Sequence, residues 1–394
     1  MKVVQFGLCF SPNLGDGVIA ECIGYAIKAR RADAMVTHID VSARQGFGQV
    51  VIKNREAIIA IIDHLPLFIR QRLALWKLNR TVDGVADMWA DAADADLAVV
   101  GGGQIFSDAS LNFPIKIGRV FDILAQTKTP TAVYGVGVAN NWSPKGKALF
   151  HKMQHTEMRM VGVRDAGSEA AWKAQVPYLP RPELTLDPGL LAAGHYGPAT
   201  PTDSIGLCVT DFVILAHHAS GGVAGAARGG VGFYADIVKT ALAKGYPVTL
   251  FSNGAAEDQA LLSKVAAHPE VAADISDGKV TVPTAPKTPT ELVAIIAKCR
   301  AVIAHRLHAC IVAYSYQRPI VGLGWDAKLE SFFETAGVPD SFSSDPNLSP
   351  EDVVSLVIEA IAKGIDPADH ATLMDQAWDG IDRLLDCVNR PAAT

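Results

Sequence analysis

An arginine and two histidines follow a short apolar run, Ala301–Ala304, in the second half of the chain. The sequence there reads Ala-Val-Ile-Ala-His-Arg-Leu-His and continues with residues that suit a packed helix face. This pattern predicts a buried strand that passes into a helix, with Arg306 and His308 at the turn. In open α/β sheets, ligands bind at that end of a strand, where free backbone N–H groups favour an anion. The arginine would clamp a phosphate or carboxylate, and the histidine would move a proton near neutral pH.

Both side chains also have simpler structural explanations. Arg306 could be held by a neighbouring carboxylate, and His308 could be packed at a helix start. The spacing of His305 and His308 is compatible with zinc, but no third ligand of matching type lies nearby in the sequence. No metal site is therefore predicted.

Polar residues and glycines follow predicted strands in the first half as well. The loop at 11–17 carries Asn13 and Asp16, and Asp16 is either the N-cap of the next helix or a candidate base. A buried strand at 96–100 runs into three glycines, which let a backbone come close to a ligand or a neighbouring loop. Arg164 ends a further strand, at the position where a ligand anion would bind.

In the second half, Asn253 and Lys328 follow predicted strands. Lys328 would reach a phosphate or pair with Asp326 or Glu330. The first loop is not GxGxxG, and the chain contains neither a Walker A lysine pattern nor a GxSxG elbow. We therefore do not predict a dinucleotide site, an ATP-driven reaction or an α/β-hydrolase.

The elements that position these residues alternate as strand, loop and helix along most of the chain. The 394 residues, 49% of them hydrophobic, predict two α/β domains with mostly parallel sheets. We expect two Rossmann-like domains in a GT-B-like arrangement with a cleft between them. The predicted limits are 1–195 for the first domain and 203–365 for the second, with a final helix, 366–394, crossing back to the first domain.

Composition excludes several classes of function. The net charge of −6 argues against nucleic-acid binding, and the six cysteines are scattered without metal spacing. The first residues read as a strand rather than a signal peptide, and no apolar run approaches the length of a membrane span. The expected location is the cytoplasm.

A basic stretch interrupts the regular pattern at 43–88. Between Arg44 and Arg80 there are seven Lys or Arg and two acids, so the local charge is 7 − 2 = +5. Basic amphipathic helices of this kind lie on anionic membrane surfaces, which predicts a peripheral contact with the inner face of the membrane. The alternative is an ordinary helical excursion with a solvated basic face.

Several motifs in order along nearly the whole chain resemble the polysaccharide pyruvyl transferase family. They are residues 13–16 (Asn-Leu-Gly-Asp), 99–103, 134–137, 163–165, 187–188 (Asp-Pro) and 305–308, the last continuing through Pro319 to Lys328. Family members transfer the enolpyruvyl part of phosphoenolpyruvate to sugar hydroxyls, usually as a cyclic ketal, on a fold that resembles GT-B glycosyltransferases.

The resemblance implies an enzyme of exopolysaccharide or cell-envelope biosynthesis that needs no cofactor besides its co-substrate, phosphoenolpyruvate. It implies that Arg164 and Arg306 hold phosphoenolpyruvate and that His308 is the acid/base. The chemistry needs both an acid and a base, and we assign Asp16 as the second catalytic group. We assign three further residues to the donor and four to the acceptor or its loops. They are Leu307, Lys328 and Asn253 for the donor, and Asn13, Gly102, Gly103 and Gln104 for the acceptor.

The expected partner of the donor is a saccharide or a lipid-linked saccharide. Two other functions stay open on the sequence. One is a GT-B glycosyltransferase that uses a nucleotide sugar, since fold alone does not determine function. The other is a sugar- or anion-binding protein without catalysis.

Overall fold

The computed structural model of the protein describes residues 1–48, 94–108, 111–211, 230–324 and 327–391, together with 72, 76, 78–80, 83 and 89. Most of the basic stretch at 43–88, most of the loop at 217–232, and Asp326 lie outside the described residues. The chain divides into two compact units. Unit 1 comprises Met1–Ser11, Ile27–Thr185 and Gly380–Thr394, and unit 2 comprises Pro12–Ala26 and Leu186–Asp379.

Unit 1 is built on a parallel sheet of six strands in the order β2-β1-β3-β4-β5-β6. Its strands are β1 (Lys2–Gly7), β2 (Met35–Asp40), β3 (Leu97–Phe106), β4 (Pro130–Val138), β5 (Glu157–Val163) and β6 (Glu183–Leu184). The central strands are almost continuously buried because helices cover both faces of a parallel sheet. This explains why they read as apolar runs in the sequence rather than as alternating patterns.

Helices complete unit 1 and connect it with unit 2. Helices wholly inside unit 1 include Asn112–Thr127, Pro144–Phe150 and Ala166–Gln175. The helix Leu14–Arg30 begins in unit 2 and ends in unit 1, and so does the last helix, Pro367–Asp386. The predicted domain limits stay predictions.

Unit 2 repeats the architecture with a second parallel sheet of six strands in the order β12-β11-β10-β7-β8-β9. Its strands are β7 (Ile205–Cys208), β8 (Val248–Phe251), β9 (Val280–Thr281), β10 (Ala301–Ala304), β11 (Ile320–Leu323) and β12 (Phe342–Ser343). Its described helices include Ala192–Tyr196, Val231–Ala243, Ala256–Ala266, Pro269–Ser276, Pro289–Lys298, Leu307–Ser315, Ala327–Thr335 and Pro350–Lys363. The two sheets confirm the predicted α/β class with two Rossmann-like units.

Local details differ from the prediction near the first loop. The helix expected from about Val18 begins at Leu14, so Asp16 lies in its first turn and not at its N-cap. The cysteines are all buried. Among the described helices, none combines the length and apolar character needed to cross a bilayer.

Candidate functional site

His308 of unit 2 lies between two carboxylates, one facing each ring nitrogen. The distance from His308 Nδ1 to Asp16 Oδ1 is 4.0 Å, and that from His308 Nε2 to Asp187 Oδ2 is 3.9 Å. The imidazole is largely shielded, with 11% of the side chain exposed. A carboxylate on each side of an imidazole can orient the ring and stabilise positive charge that forms on it during proton transfer.

A glycine allows this close arrangement. A Cβ atom at Gly15 would lie 2.5 Å from His308 Cβ and 2.6 Å from Nδ1. No side chain fits there, so the first turn of the helix Leu14–Arg30 can approach the first turn of Leu307–Ser315 only because residue 15 is glycine. That approach brings Asp16 to the histidine.

Asp187 is held by the backbone on its other side. Its Oδ1 accepts a hydrogen bond from Gly189 N at 2.9 Å and caps the short 3-10 helix Pro188–Leu191. The carboxylate is almost fully buried, with 5% of the residue exposed. The cap fixes one oxygen and leaves the other facing His308 Nε2.

Arg306 lies at the N-cap position of the helix that carries His308, and a buried acid holds it there. Its Nε and Nη2 donate to Asp258 Oδ2 at 3.0 and 2.7 Å. Asp258 Oδ1 accepts from Asp211 N at 2.9 Å. Burial raises the pKa of Asp258, while the charge of Arg306 opposes that rise. The structure thus shows the neighbouring carboxylate that the sequence left open as an alternative for Arg306.

In unit 2, the loop after β8 meets the start of the helix Leu14–Arg30. Leu14 N donates to Asn253 O at 2.9 Å, and the left-handed Gly254 (φ 93°) packs against Leu14. Asn253 is fully buried, and its Oδ1 accepts from Cys208 Sγ at 3.6 Å. Its Nδ2 has no hydrogen-bond partner among the residues that the structure describes. A buried amide in this state suits a ligand oxygen.

Two other predicted donor residues lie in first turns of helices. Leu307 opens the helix Leu307–Ser315, where backbone N–H groups have no intrahelical acceptors. Lys328 lies in the first turn of Ala327–Thr335, which follows β11. Asn13 precedes the first helix, and its Nδ2 donates to Asp16 Oδ2 at 3.4 Å.

Arg164 belongs to unit 1, where it follows β5 and is almost fully buried. Its Nη2 donates to Gln104 Oε1 at 2.9 Å, and its Nε donates to Asp165 Oδ2 at 3.3 Å. A Cβ at Gly137 would lie 2.2 Å from Gln104 Oε1 and 2.7 Å from Arg164 Nη2. Gly137, which lies within β4, therefore leaves room for the contact between Arg164 and Gln104.

The remaining predicted residues lie in β3 of the same unit. Gly102 and Gly103 have φ values of 81° and 75°, a conformation that disfavours other residues. The pairing of β3 with β4 shifts register after Gly103, as in a β-bulge. Gln104 follows directly, so the bulge sets the side chain that contacts Arg164.

The predicted residues therefore form two groups. Unit 2 contains Asn13, Asp16, Asn253, Arg306, Leu307, His308 and Lys328, and unit 1 contains Gly102, Gly103, Gln104 and Arg164. Neither Asp187 nor Asp258 was predicted to be a site residue. The turn residues that follow Asp187 were a signal of its cap, whereas nothing near Asp258 marked it as the partner of Arg306.

The histidine spacing does not build a metal site. His305 is fully buried, and its Nδ1 lies 2.9 Å from the carbonyl oxygen of Leu323. In the part of the chain that the structure describes, no three His, Cys, Asp or Glu side chains form a group that could hold a metal ion.

Residues 13–327 match the family model described as polysaccharide pyruvyl transferase. This range contains every predicted site residue except Lys328. None of the curated proteins matches the chain.

Solved structures resemble the chain in fold. A putative UDP-N-acetylglucosamine 2-epimerase from Listeria monocytogenes is 9% identical, with 98% of this chain and 95% of that one covered and a TM-score of 0.55. The glycotransferase of kitacinnamycin is 10% identical over 98% and 96% of the chains, with a TM-score of 0.51. S. aureus MnaA with UDP is 8% identical over 98% and 95%, with a TM-score of 0.50. These similarities confirm the GT-B-like fold class and, at such low identity, show nothing further.

Proposed function

Because the chain belongs to the polysaccharide pyruvyl transferase family, we propose that it transfers pyruvate from phosphoenolpyruvate to hydroxyl groups of a saccharide, forming a pyruvate ketal. The acceptor is a polysaccharide or a precursor of one, free or lipid-linked. The protein acts as a transferase that requires no cofactor besides phosphoenolpyruvate.

The proposed reaction starts with proton transfer from the His308 imidazolium to the methylene carbon of phosphoenolpyruvate. The π bond of the double bond is lost as a sugar hydroxyl adds to the central carbon, and Asp16 or the neutral imidazole takes the proton of that hydroxyl. A second hydroxyl then displaces phosphate from the same carbon and closes the ring, and its proton leaves with the departing phosphate. One phosphoenolpyruvate and two hydroxyl groups give one ketal and one phosphate, with no redox step.

The other site residues serve binding in this proposal. Arg164 and Arg306 bind the phosphate and carboxylate groups of phosphoenolpyruvate, as the family resemblance implies. The buried Nδ2 of Asn253, the backbone at Leu307 and the ammonium of Lys328 supply further donors for an anion. Asn13, Gly102, Gly103 and Gln104 are assigned to the acceptor.

The observation that carries the proposal is the placement of His308 between Asp16 and Asp187, two residues after Arg306. Addition to phosphoenolpyruvate needs a proton donor beside a cation that binds the donor anions. A histidine held between two acids supports the first requirement, and an arginine fixed at the same helix start supports the second.

Phosphate release from phosphoenolpyruvate tests the proposal. Purified protein is incubated with phosphoenolpyruvate and a panel of saccharides, and we expect release only with an acceptor that carries two suitably spaced hydroxyl groups. The acceptor product should gain the mass of pyruvate less water. His308→Ala should abolish release, and Asp345→Asn, which changes an exposed turn residue, should not.

A nucleotide-sugar glycosyltransferase is the competing function. The fold similarity to UDP-linked enzymes is its support, although it extends to the fold alone. Thermal melting separates the two functions and the non-catalytic alternative. Stabilisation by UDP-sugars without any by phosphoenolpyruvate would replace our proposal with the glycosyltransferase, and stabilisation by free sugars alone would indicate a binding protein.

A further inference from the structure

A second group of charged side chains lies in unit 1, at the carboxyl ends of β1 and β2. Asp40 is the last residue of β2, and Arg44 lies four residues later in the following loop. Lys116 belongs to the helix Asn112–Thr127. Arg44 Nη1 is 3.5 Å from Asp40 Oδ1, and Lys116 Nζ donates to Ser42 Oγ at 2.9 Å. Two cations therefore share the surroundings of one carboxylate.

That carboxylate is already occupied by the backbone. Asp40 Oδ2 accepts from Phe10 N at 2.8 Å, and Asp40 Oδ1 accepts from Ser42 N at 2.7 Å. These bonds hold the loops that follow β1 and β2 together, so Asp40 has a structural role that needs no ligand. They leave the carboxylate poorly placed to neutralise two cations as well.

Lys116 is the more unusual of the two cations. The residue is 8% exposed, and among the described residues it forms no ion pair, only the bond to the neutral Ser42 hydroxyl and a ring contact 5.8 Å from Phe113. Burial and the charge of Arg44 lower the pKa of Lys116 to about 8, and Asp40 only partly opposes this. A buried ammonium beside a guanidinium lowers folding stability unless an anion joins them.

The position of this group separates it from Arg164 in the same unit. In the order β2-β1-β3-β4-β5-β6, β2 is four strand spacings from β5, which ends next to Arg164. At about 4.8 Å per spacing, the two places are roughly 19 Å apart along the same sheet edge. That is too far for the two ends of a three-carbon donor, and it suits a second group on a larger ligand.

We propose that Arg44 and Lys116 form a second anion-binding site, which binds a phosphate or carboxylate group of the saccharide acceptor. Identifying the ligand as the acceptor rests on the proposed function, whereas the anion site itself is inferred from the positions of the two cations. Phosphate on a sugar or lipid carrier and the carboxylate of a uronic acid share the required chemistry. Aromatic rings lie close by: Phe10 and Phe47, in the loops after β1 and β2, are 5.3 Å apart, and the Phe113 ring is 5.8 Å from Lys116 Nζ.

Direct binding tests the site without reference to catalysis. Inorganic pyrophosphate and glucuronate are titrated by calorimetry into the wild type, Lys116→Met, Arg44→Gln and the control Arg119→Gln. Arg119 lies one turn after Lys116 on the same helix, and its exposed side chain pairs with Asp83 at 3.6 Å. We expect Lys116→Met and Arg44→Gln to weaken binding of one of the two probes roughly 10-fold or more, and Arg119→Gln to leave it unchanged.

Which probe responds identifies the source of the anion. Loss confined to pyrophosphate indicates a phosphate-bearing acceptor, and loss confined to glucuronate indicates an acidic sugar. Binding of the affected probe should weaken as the pH rises through about 8, because Lys116 then loses its proton. Equal affinity of all four proteins for both probes would overturn the site.

Thermal melting distinguishes a binding role from a structural one. If Lys116 serves a ligand, Lys116→Met removes a poorly paired buried charge, and the variant should melt at the same temperature as the wild type or higher. A structural cation would give the opposite result, since its loss would lower the melting temperature and leave probe binding unchanged.

Experiments can reject the proposed function and the anion site independently of each other. Arg306→Ala should impair phosphoenolpyruvate binding and leave the Lys116-dependent binding of the probe intact. Phosphate release from phosphoenolpyruvate with no Lys116-dependent binding would retain the function and reject the second site. Lys116-dependent binding without phosphate release would retain the site and reject the function.

Discussion

At the scale of single residues, Asp187 divides its two oxygens between the backbone and a histidine. One caps Gly189 N and the other faces His308 Nε2. Asp187→Asn keeps an oxygen for the cap and removes the negative charge beside the ring. We expect turnover to fall roughly 10- to 100-fold, the effect of losing one charge-assisted contact, with little change in the affinity for phosphoenolpyruvate.

The pH profile tests whether this loss reflects positioning of His308. A general acid works only while protonated, so activity falls as the pH rises through its ionisation. Without the Asp187 charge, this alkaline fall should move to lower pH. Asp345→Asn is the matched control, because Asp345 Oδ1 also accepts from the backbone two residues on, at 2.9 Å. An unchanged pH profile in Asp187→Asn would reduce Asp187 to a structural cap.

Arg306 tests the donor contact at the same scale. Arg306→Ala should weaken phosphoenolpyruvate binding roughly 10- to 100-fold, and Arg306→Lys should restore only part because lysine lacks the planar fork. Asp258→Asn should produce a smaller loss of affinity, since Asp258 orients the Arg306 guanidinium through two hydrogen bonds. Calorimetry with phosphoenolpyruvate measures all three variants, and full affinity in Arg306→Ala would assign Arg306 to the ion pair alone.

The residue types at the site were visible in the sequence, and their partners were not. Arg306 and His308 follow an apolar strand, so strand-end chemistry predicted them. Asp258 reaches Arg306 across 48 positions of the chain, and Asp187 reaches His308 across 121. Such pairings depend on which strands become neighbours, and local sequence patterns do not encode that order.

At the scale of elements, Gly15 sets how closely two helix starts approach. Gly15→Ala would place Cβ 2.5 Å from His308 Cβ, so the two first turns must separate. We expect turnover to fall more than 10-fold and the melting temperature to drop, as overpacking typically costs 1–3 kcal/mol. Gly232→Ala is the control, because no atom of the described residues lies within 4 Å of its Cβ position. Normal turnover in Gly15→Ala would show that His308 tolerates displacement.

The basic stretch is an element that the sequence alone characterises. Its local charge of +5 between Arg44 and Arg80, with interleaved apolar residues, predicts attraction to anionic lipid. In a liposome flotation assay at low salt, we expect more protein on vesicles with anionic lipid than on neutral ones, and salt should reduce the difference. Equal partitioning would favour a solvated basic face.

Most strands were predictable because parallel strands buried on both faces read as short apolar runs. The sequence predicted β10 with its observed limits, Ala301–Ala304. The strand predicted at 96–100 is the first part of β3, which continues through the glycines to Phe106. The sequence missed the edge strands β6 and β12, which have only two residues each and carry no such run. It also missed the short helix Pro269–Ser276, whose proline is at N1.

At the scale of the whole molecule, the two arginines assigned to phosphoenolpyruvate belong to different units, Arg164 to unit 1 and Arg306 to unit 2. If both bind the donor, Arg164→Ala and Arg306→Ala should each weaken it, and Gln104→Ala should have a smaller effect through its 2.9 Å contact with Arg164. Arg300→Ala is the control, since its partner Asp203 is exposed at the surface.

Phosphoenolpyruvate should also raise the melting temperature of the wild type more than that of either variant, because a ligand stabilises the folded protein according to its affinity. Weakened binding in Arg306→Ala with wild-type affinity in Arg164→Ala would assign the donor to unit 2 alone, and Arg164 would then belong with Gln104 to the acceptor.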